Sequence, residues 1–128
     1  MSSNFRAVVV EDDHDIQYLY KLKLEREGFD VAVASNGLEG LEVIKNIRPD
    51  IVLLDLMMPI MSGPEMLAAM RAETWGSEAR VIILTNISKD EAPQALRFLN
   101  VDRYIVKAHH TPAQVVNIVH EVLGSYAS

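Results

Sequence analysis

Short apolar runs of three or four residues alternate along the chain with longer amphipathic segments. A parallel strand buried on both faces is apolar throughout and needs a crossover to reach the next strand, so this alternation is typical of βαβ units. Five runs rich in Val, Ile and Leu are predicted as strands, at residues 7–10, 31–34, 51–54, 81–84 and 104–106. The pattern therefore predicts an α/β fold in which helices cover both faces of a parallel sheet.

Helical periodicity marks the segments between and after these strands, and we expect five helices. The first spans roughly residues 15–27 and is stopped by Gly28. The second begins after Asn36 and the last after Thr111, because each of these side chains stands three residues before Glu or Gln, as an N-cap does. In the fourth, over residues 90–99, we expect Asp90 to be the cap, so that Pro93 falls in the first turn and the helix continues through it.

Length and composition favour a single acidic domain. The 128 residues are close to the common size of one domain and no linker divides them, so we expect one domain over residues 1–128 and no output domain. The formal net charge of −6 disfavours direct contact with nucleic acid, which is itself a polyanion. Since no apolar run approaches the roughly 18 residues of a membrane span, we expect no membrane insertion and a location in the cytoplasm.

Charged or reactive side chains follow four of the five predicted strands. They are Glu11, Asp12 and Asp13 after the first strand, Asp55 after the third, Thr85 after the fourth and Lys107 after the fifth. The carboxyl ends of parallel strands share one edge of the sheet, where ligands bind. If the strand order is 2-1-3-4-5, these four ends are neighbours, and one pocket gathers carboxylates, a hydroxyl and an amine.

This combination of groups suits a divalent cation and phosphoryl transfer. Carboxylates that converge without a cation repel one another, and hard oxygen ligands select Mg²⁺ (or Mn²⁺) over zinc. Glu11, Asp12 and Asp55 contribute three negative charges, which a divalent metal and Lys107 together neutralise. Asp55 is then placed to attack phosphorus, while the metal and Lys107 neutralise the phosphoryl oxygens. The product would be an aspartyl phosphate.

Four short motifs lie at the ends of the predicted strands: VVVEDD at residues 8–13, LLDLMMP at 53–59 followed by Gly63, ILT at 83–85 and YIVK at 104–107. In order and spacing, these motifs resemble those of the receiver domains of bacterial two-component response regulators. The resemblance covers nearly the whole chain. It implies a flavodoxin-like, doubly wound, five-stranded parallel sheet of order 2-1-3-4-5 with five helices.

The resemblance implies a phosphorylation site and a metal site. Asp55 corresponds to the phosphoacceptor. Asp12 and Asp55 would bind Mg²⁺ directly, Glu11 would bind it through water, and the backbone carbonyl of Met57 would supply another ligand. Asp13 lies one position beyond this set, and we expect it to cap the first helix instead.

The resemblance also implies how the phosphoryl group is held and how its presence is reported. Thr85 and Lys107 would bind its oxygens, and the Thr85 hydroxyl would move towards it as the ring of Tyr104 turns inward. The predicted fourth helix, fifth strand and fifth helix would present the change to a downstream protein. A sensor histidine kinase or a histidine phosphotransfer protein would supply the phosphoryl group. The family usually has a proline after the lysine, whereas this chain has Ala108, for which we expect a trans peptide bond.

Such a receiver is a phosphoacceptor rather than an enzyme, and three other classes share parts of the pattern. A small phosphatase or phosphotransferase of the haloacid-dehalogenase type also uses an aspartyl nucleophile, but Met57 stands where its Asp-x-Asp motif has the second aspartate. A flavodoxin-like electron carrier needs a hydroxyl- and glycine-rich loop after the first strand, where this chain has three acids. An interaction module that works without phosphorylation is the third alternative.

Overall fold

Five parallel strands form the central sheet of the computed structural model, which describes residues 4–124. The strands are β1 (Arg6–Val10), β2 (Asp30–Ala34), β3 (Ile51–Leu54), β4 (Arg80–Thr85) and β5 (Arg103–Val106). Their order is β2-β1-β3-β4-β5, and every neighbouring pair is parallel. The predicted doubly wound sheet is confirmed, and each strand lies within one residue of its predicted bounds.

Four α-helices cover the sheet in the described part of the chain. They are α1 (His14–Arg26), α2 (Gly37–Ile47), α3 (Gly63–Arg71) and α4 (Pro112–Leu123). Helices α1 and α4 pack on one face, and α2 and α3 pack on the other. None of the helices formed by residues 4–124 is long and apolar enough to cross a membrane.

Side chains of the inner strands alternate between two apolar layers. Val9 and Leu53 pack in the layer under α1 and α4, together with Leu24 of α1. Val8 and Val52 point to the opposite layer, under α2 and α3. All of these side chains are almost completely buried. Burial on both faces explains why the strands appear in the sequence as continuous apolar runs.

The prediction of a fourth helix over residues 90–99 is wrong, so the described chain has four α-helices rather than five. Two short 3₁₀ helices, Lys89–Glu91 and Gln94–Phe98, occupy this region. Ala92 and Pro93 between them are extended, with ψ of 148° and 133°. A proline disfavours the α-helical conformation of the residue before it. A helix that begins at Asp90 would have to hold Ala92 in this disfavoured conformation.

The starts of the other helices are fixed by capping side chains. Asn36 caps α2 by accepting a hydrogen bond from the N–H of the third helical residue, as expected. Thr111 and Gln114 form a complete capping box at the start of α4. Helix α3 begins with a further capping box, formed by Ser62 and Glu65, which the sequence analysis did not identify. These caps hold the helix starts that follow β2, β3 and β5 in place.

Candidate functional site

The carboxyl ends of β1, β3, β4 and β5 bring the predicted groups together at one edge of the sheet. Glu11, Asp55 and Thr85 are buried there, and the side chain of Lys107 is only 13% exposed. Asp12 is open to solvent. Glu11, Asp12 and Asp55 each place a carboxylate oxygen within 4.8 Å of the other two. The pocket expected from the strand order therefore forms.

Lys107 bridges two of these carboxylates. Its Nζ lies 2.5 Å from Glu11 Oε1 and 3.2 Å from Asp55 Oδ2. Burial alone would lower the pKa of Lys107, but the contacts with Glu11 and Asp55 outweigh it and raise that pKa. The lysine is therefore charged at neutral pH. The peptide bond to Ala108 is trans, as expected, and the absence of a proline there does not move the lysine away from the carboxylates.

The cluster carries an excess of negative charge. Burial raises the pKa of Glu11 and the neighbouring Asp55 raises it further, whereas hydrogen bonds from Lys107 and from the backbone of Asp13 oppose the rise. Three carboxylates against one ammonium leave a formal charge of −2 when all are ionised. That charge, the oxygen donors and the exposed position of Asp12 fit a hard divalent cation such as Mg²⁺.

Other backbone contacts hold the acidic residues in place. Asp55 Oδ1 accepts a hydrogen bond of 2.7 Å from the N–H of Leu56. Asp13 caps α1, as expected, by accepting from the N–H groups of Asp15 and Ile16. It therefore anchors the helix, while the preceding acidic residues remain at the pocket. Met57 lies two residues after Asp55 at the rim, with its side chain 68% exposed.

The two predicted switch residues both contact the loop after β4. Thr85 Oγ1 accepts a weak hydrogen bond of 3.4 Å from the N–H of Ile87. The hydroxyl of Tyr104, on β5, donates to the carbonyl of the same Ile87 at 2.7 Å. The ring of Tyr104 is half-buried against the layer under α2 and α3. Ile87 thus connects Thr85, at the end of β4, to the side chain of Tyr104 on β5.

Gln17 of α1 supports the site and was missed by the sequence analysis. Its buried Nε2 donates to the carbonyl of Glu11 at 2.9 Å and to that of Ala34 at 3.0 Å. It therefore ties α1 to the ends of β1 and β2. Gln17, Tyr20 and Leu24 lie on one face of α1, and all three are buried. Their spacing in the sequence could have indicated the role of Gln17, because it places a polar residue on an apolar stripe.

Gly63 places the start of α3 directly against Asp55. A Cβ atom at this position would lie 2.2 Å from the carbonyl oxygen of Asp55 and 2.9 Å from Leu56 Cα. The N–H of Gly63 also donates to the carbonyl of Leu56 at 3.0 Å. Any larger residue would push α3 away from Asp55, which explains why the motif around Asp55 includes a glycine at this spacing.

Comparison with known proteins gives matches over most of the chain. The model of the response regulator receiver domain matches residues 7–120. The DNA-binding response regulator MtrA of Mycobacterium tuberculosis is 39% identical over 80 residues, which are 62% of this chain and 34% of MtrA. The aligned part is thus about a third of the length of this curated relative.

Solved structures show the same fold. A CheY-like response regulator receiver domain protein from Methanospirillum hungatei has a TM-score of 0.87 and 29% identity, and the match covers 95% of each chain. The response regulator TrrA from Thermotoga maritima, determined in complex with Mg²⁺-BeF, has a TM-score of 0.80 and 30% identity. That match covers 92% of this chain and 98% of TrrA.

These matches give no support to the haloacid-dehalogenase alternative. The family model covers all of the predicted site residues, from Glu11 to Lys107. The strand order and the convergence of Asp55 with Lys107 agree with it. The chain therefore belongs to the response regulator receiver domain family.

Proposed function

We propose that the chain accepts a phosphoryl group on Asp55 from a sensor histidine kinase or a histidine phosphotransfer protein. The observation that carries this proposal is that Lys107 Nζ lies 3.2 Å from Asp55, beside a cluster of three carboxylates. The complex of the similar TrrA with Mg²⁺-BeF supports it. As part of the same proposal, the chain acts in the cytoplasm through protein contacts, without binding nucleic acid directly.

The transfer is a substitution at phosphorus. A carboxylate oxygen of Asp55 forms a bond to phosphorus as the P–N bond of the donor phosphohistidine breaks. The electron pair of that bond returns to the ring nitrogen, and the ring leaves as neutral imidazole because its second nitrogen carries the proton. The products are an aspartyl phosphate and an unmodified donor histidine.

The residues predicted to bind the metal and the phosphoryl group each have a role in this step. Mg²⁺, when held by Glu11 through water, by Asp12 and Asp55 directly and by the Met57 carbonyl, supplies positive charge that neutralises phosphoryl oxygens. Lys107 turns from the carboxylates to donate hydrogen bonds to the incoming group. The Thr85 hydroxyl donates to a second phosphoryl oxygen.

The test is phosphorylation of the purified protein in Mg²⁺ by a histidine phosphotransfer protein carrying [³²P]phosphohistidine. We expect the label to be stable in acid and labile in base, as an acyl phosphate is, and to be lost in Asp55→Asn. Asp90→Asn, which changes an exposed aspartate of a 3₁₀ helix, is the matched control and should leave uptake unchanged. Uptake that persists in Asp55→Asn would reject the proposal.

We propose that residues 86–100, β5 and α4 form the surface that reports the phosphorylated state to a downstream protein. The bond from Tyr104 to Ile87 supports this, because it links the loop after Thr85 to β5. This surface contains a cleft of about 930 Å³, lined by residues between Lys89 and Tyr104. It also carries Phe98, which is 84% exposed. The 3₁₀ helices Lys89–Glu91 and Gln94–Phe98 take the place of the expected fourth helix.

A further inference from the structure

The loop that joins β3 to α3 carries two exposed apolar side chains near the acceptor residue. Met57 is 68% exposed and Ile60 is 78% exposed. The base of the loop is closed, because the N–H of Gly63 donates to the carbonyl of Leu56. Gly63 also packs against the Asp55 carbonyl. Since Ile60 is three residues from Gly63, its Cα lies within about 11 Å of that contact.

The backbone at Ile60 adopts a conformation that its side chain disfavours. Its φ is 69°, in the left-handed region, where a β-branched residue is an outlier. The N–H of Met61 donates to the carbonyl of Pro59 at 2.7 Å, so Ile60 is the central residue of a tight three-residue turn. Glycine or asparagine would occupy this turn with less strain.

Packing within the described chain does not explain why this residue is isoleucine. The side chain of Ile60 belongs to neither of the two apolar layers formed by residues 4–124. Backbone strain that the apolar layers do not compensate is typical of a contact made in function. Because the side chain of Ile60 is 78% exposed and lies outside both apolar layers, such a contact would be with another molecule.

A donor protein whose interface is centred on Asp55 would cover this loop. Asp55 is only 8% exposed, so a donor imidazole must approach through the rim of the pocket. A specific interface removes about 800 Å² from each partner, the area of a disc about 16 Å in radius. Such a disc centred on Asp55 reaches beyond Ile60.

We infer that Ile60, with Met57, is an apolar docking contact for the phosphohistidine-bearing protein and selects which donor proteins transfer to this chain. This inference rests on the proposed phosphorylation of Asp55. The donor presents an apolar surface beside its phosphohistidine, and the strained turn holds Ile60 out to meet that surface. Phosphoramidate is a small-molecule donor without such a surface, so its rate of transfer to Asp55 does not depend on Ile60.

The test compares the two kinds of donor in the wild type and in Ile60→Asn. Asparagine accepts the left-handed turn but removes the apolar contact. We expect transfer from a [³²P]phosphorylated histidine phosphotransfer domain to slow about tenfold. Phosphorylation by phosphoramidate and binding of beryllofluoride with Mg²⁺ should be unchanged, and the thermal midpoint should be equal or higher.

Two further variants make the result specific. Ile60→Met keeps an apolar side chain and should transfer at close to the wild-type rate with the protein donor. Phe5→Ser removes an apolar side chain that is 37% exposed just before β1, at the opposite edge of the sheet from Asp55, and should leave the transfer rate unchanged.

Equal transfer rates from the protein donor to the wild type and to Ile60→Asn would overturn the inference. A parallel loss with the protein donor, with phosphoramidate and in beryllofluoride binding would also overturn it, because the defect would then lie at Asp55. A wild-type chain that takes no label on Asp55 from any donor would overturn the proposed function and this inference with it.

Discussion

At the scale of single residues, the acidic cluster opposes folding when no cation is bound. Glu11, Asp12 and Asp55 place oxygens within 4.8 Å of one another, and Lys107 contacts only the first and the last of them. Two unit charges at that separation repel by about 1 kcal/mol in a water-like medium, which is the appropriate limit for the exposed Asp12. The negative charge of Asp12 therefore lowers the stability of the metal-free protein, whereas the same charge would favour binding of a divalent cation.

Asp12→Asn should consequently stabilise the metal-free protein while weakening its response to Mg²⁺. We expect the free energy of unfolding in EDTA to rise by about 1 kcal/mol, which shifts the thermal midpoint by roughly 4 °C. Addition of Mg²⁺ should stabilise the wild type strongly and the variant little, because only the wild type retains the full ligand set. Thermal unfolding in EDTA and in Mg²⁺ measures both effects. An equal response of the two proteins to Mg²⁺ would remove Asp12 from the metal site.

Gln17→Leu should destabilise the fold by leaving a buried carbonyl without its donor. The carbonyl of Glu11 loses the 2.9 Å hydrogen bond from the amide, whereas the carbonyl of Ala34 keeps the one from the Glu11 N–H. We expect a loss of about 1–2 kcal/mol in urea denaturation. Gln94→Leu, at an exposed position, is the control and should have little effect. A variant as stable as the wild type would show that water replaces the amide.

These residues differ in how far the sequence reveals them. Asp55 and Lys107 could be predicted because the ends of parallel strands converge whatever the details of packing. The role of Gln17 could not, because it depends on how α1 is rotated above β1 and β2. The contact between Gly63 and the Asp55 carbonyl is a matter of tenths of an ångström, which residue spacing does not determine.

At the scale of elements, the strands and three helix boundaries follow from local chemistry. Gly28, with a φ of 92°, follows the end of α1 as expected, and the caps Asn36 and Thr111 act where they were predicted. The segment over residues 90–99 was predicted wrongly because its apolar residues repeat at helical spacing. In this segment the steric effect of Pro93 on Ala92 outweighs that periodicity.

Arg71, at the end of α3, helps to hold this irregular segment in place. Its guanidinium donates to a set of backbone carbonyls, those of Gly76, Ser77, Ala79, Leu99 and Asn100, at 2.7 to 3.3 Å. Burial lowers the pKa of Arg71, although a guanidinium remains charged at neutral pH. Arg71 of α3 thus anchors the segment near its end. Leu96, within the segment, is buried in the apolar layer under α2 and α3.

Pro93→Ala tests whether the proline alone prevents a continuous helix. The substitution restores an N–H donor and relieves the restriction on Ala92, so residues 89–98 should form one α-helix. We expect the helical signal in far-UV circular dichroism to rise by about a fifth, in proportion to the added helical residues. Glu91→Ala, which keeps the proline, should leave the signal unchanged. An unchanged signal in Pro93→Ala would instead assign the break to the anchoring by Arg71 and Leu96.

At the scale of the whole molecule, a series of contacts connects the end of β4 to the proposed reporting surface. Thr85 is buried at the end of β4 and accepts a hydrogen bond from the N–H of Ile87, while the Tyr104 hydroxyl on β5 donates to the Ile87 carbonyl. Burial raises the pKa of Tyr104, so its hydroxyl stays protonated and keeps donating at neutral pH. If the ring of Tyr104 turned inward, as the proposed switch requires, this bond would break. Under that proposal, the bond favours the resting state of a two-state equilibrium.

Tyr104→Phe removes that bond and should shift the equilibrium towards the activated arrangement. A ligand that prefers the activated state then binds more tightly, since less of its binding free energy is used to shift the population. We expect the Kd of beryllofluoride in Mg²⁺ to fall about fivefold to tenfold, which corresponds to roughly 1 to 1.4 kcal/mol for one hydrogen bond. Amide shifts of residues 86–100 in an NMR titration report both the affinity and the conformational change. Tyr18→Phe, at a tyrosine of α1 that is 60% exposed, is the control and should leave the Kd unchanged. An unchanged or weaker affinity in Tyr104→Phe would show that the bond to Ile87 is made equally in both states, so that it cannot couple the pocket to the surface.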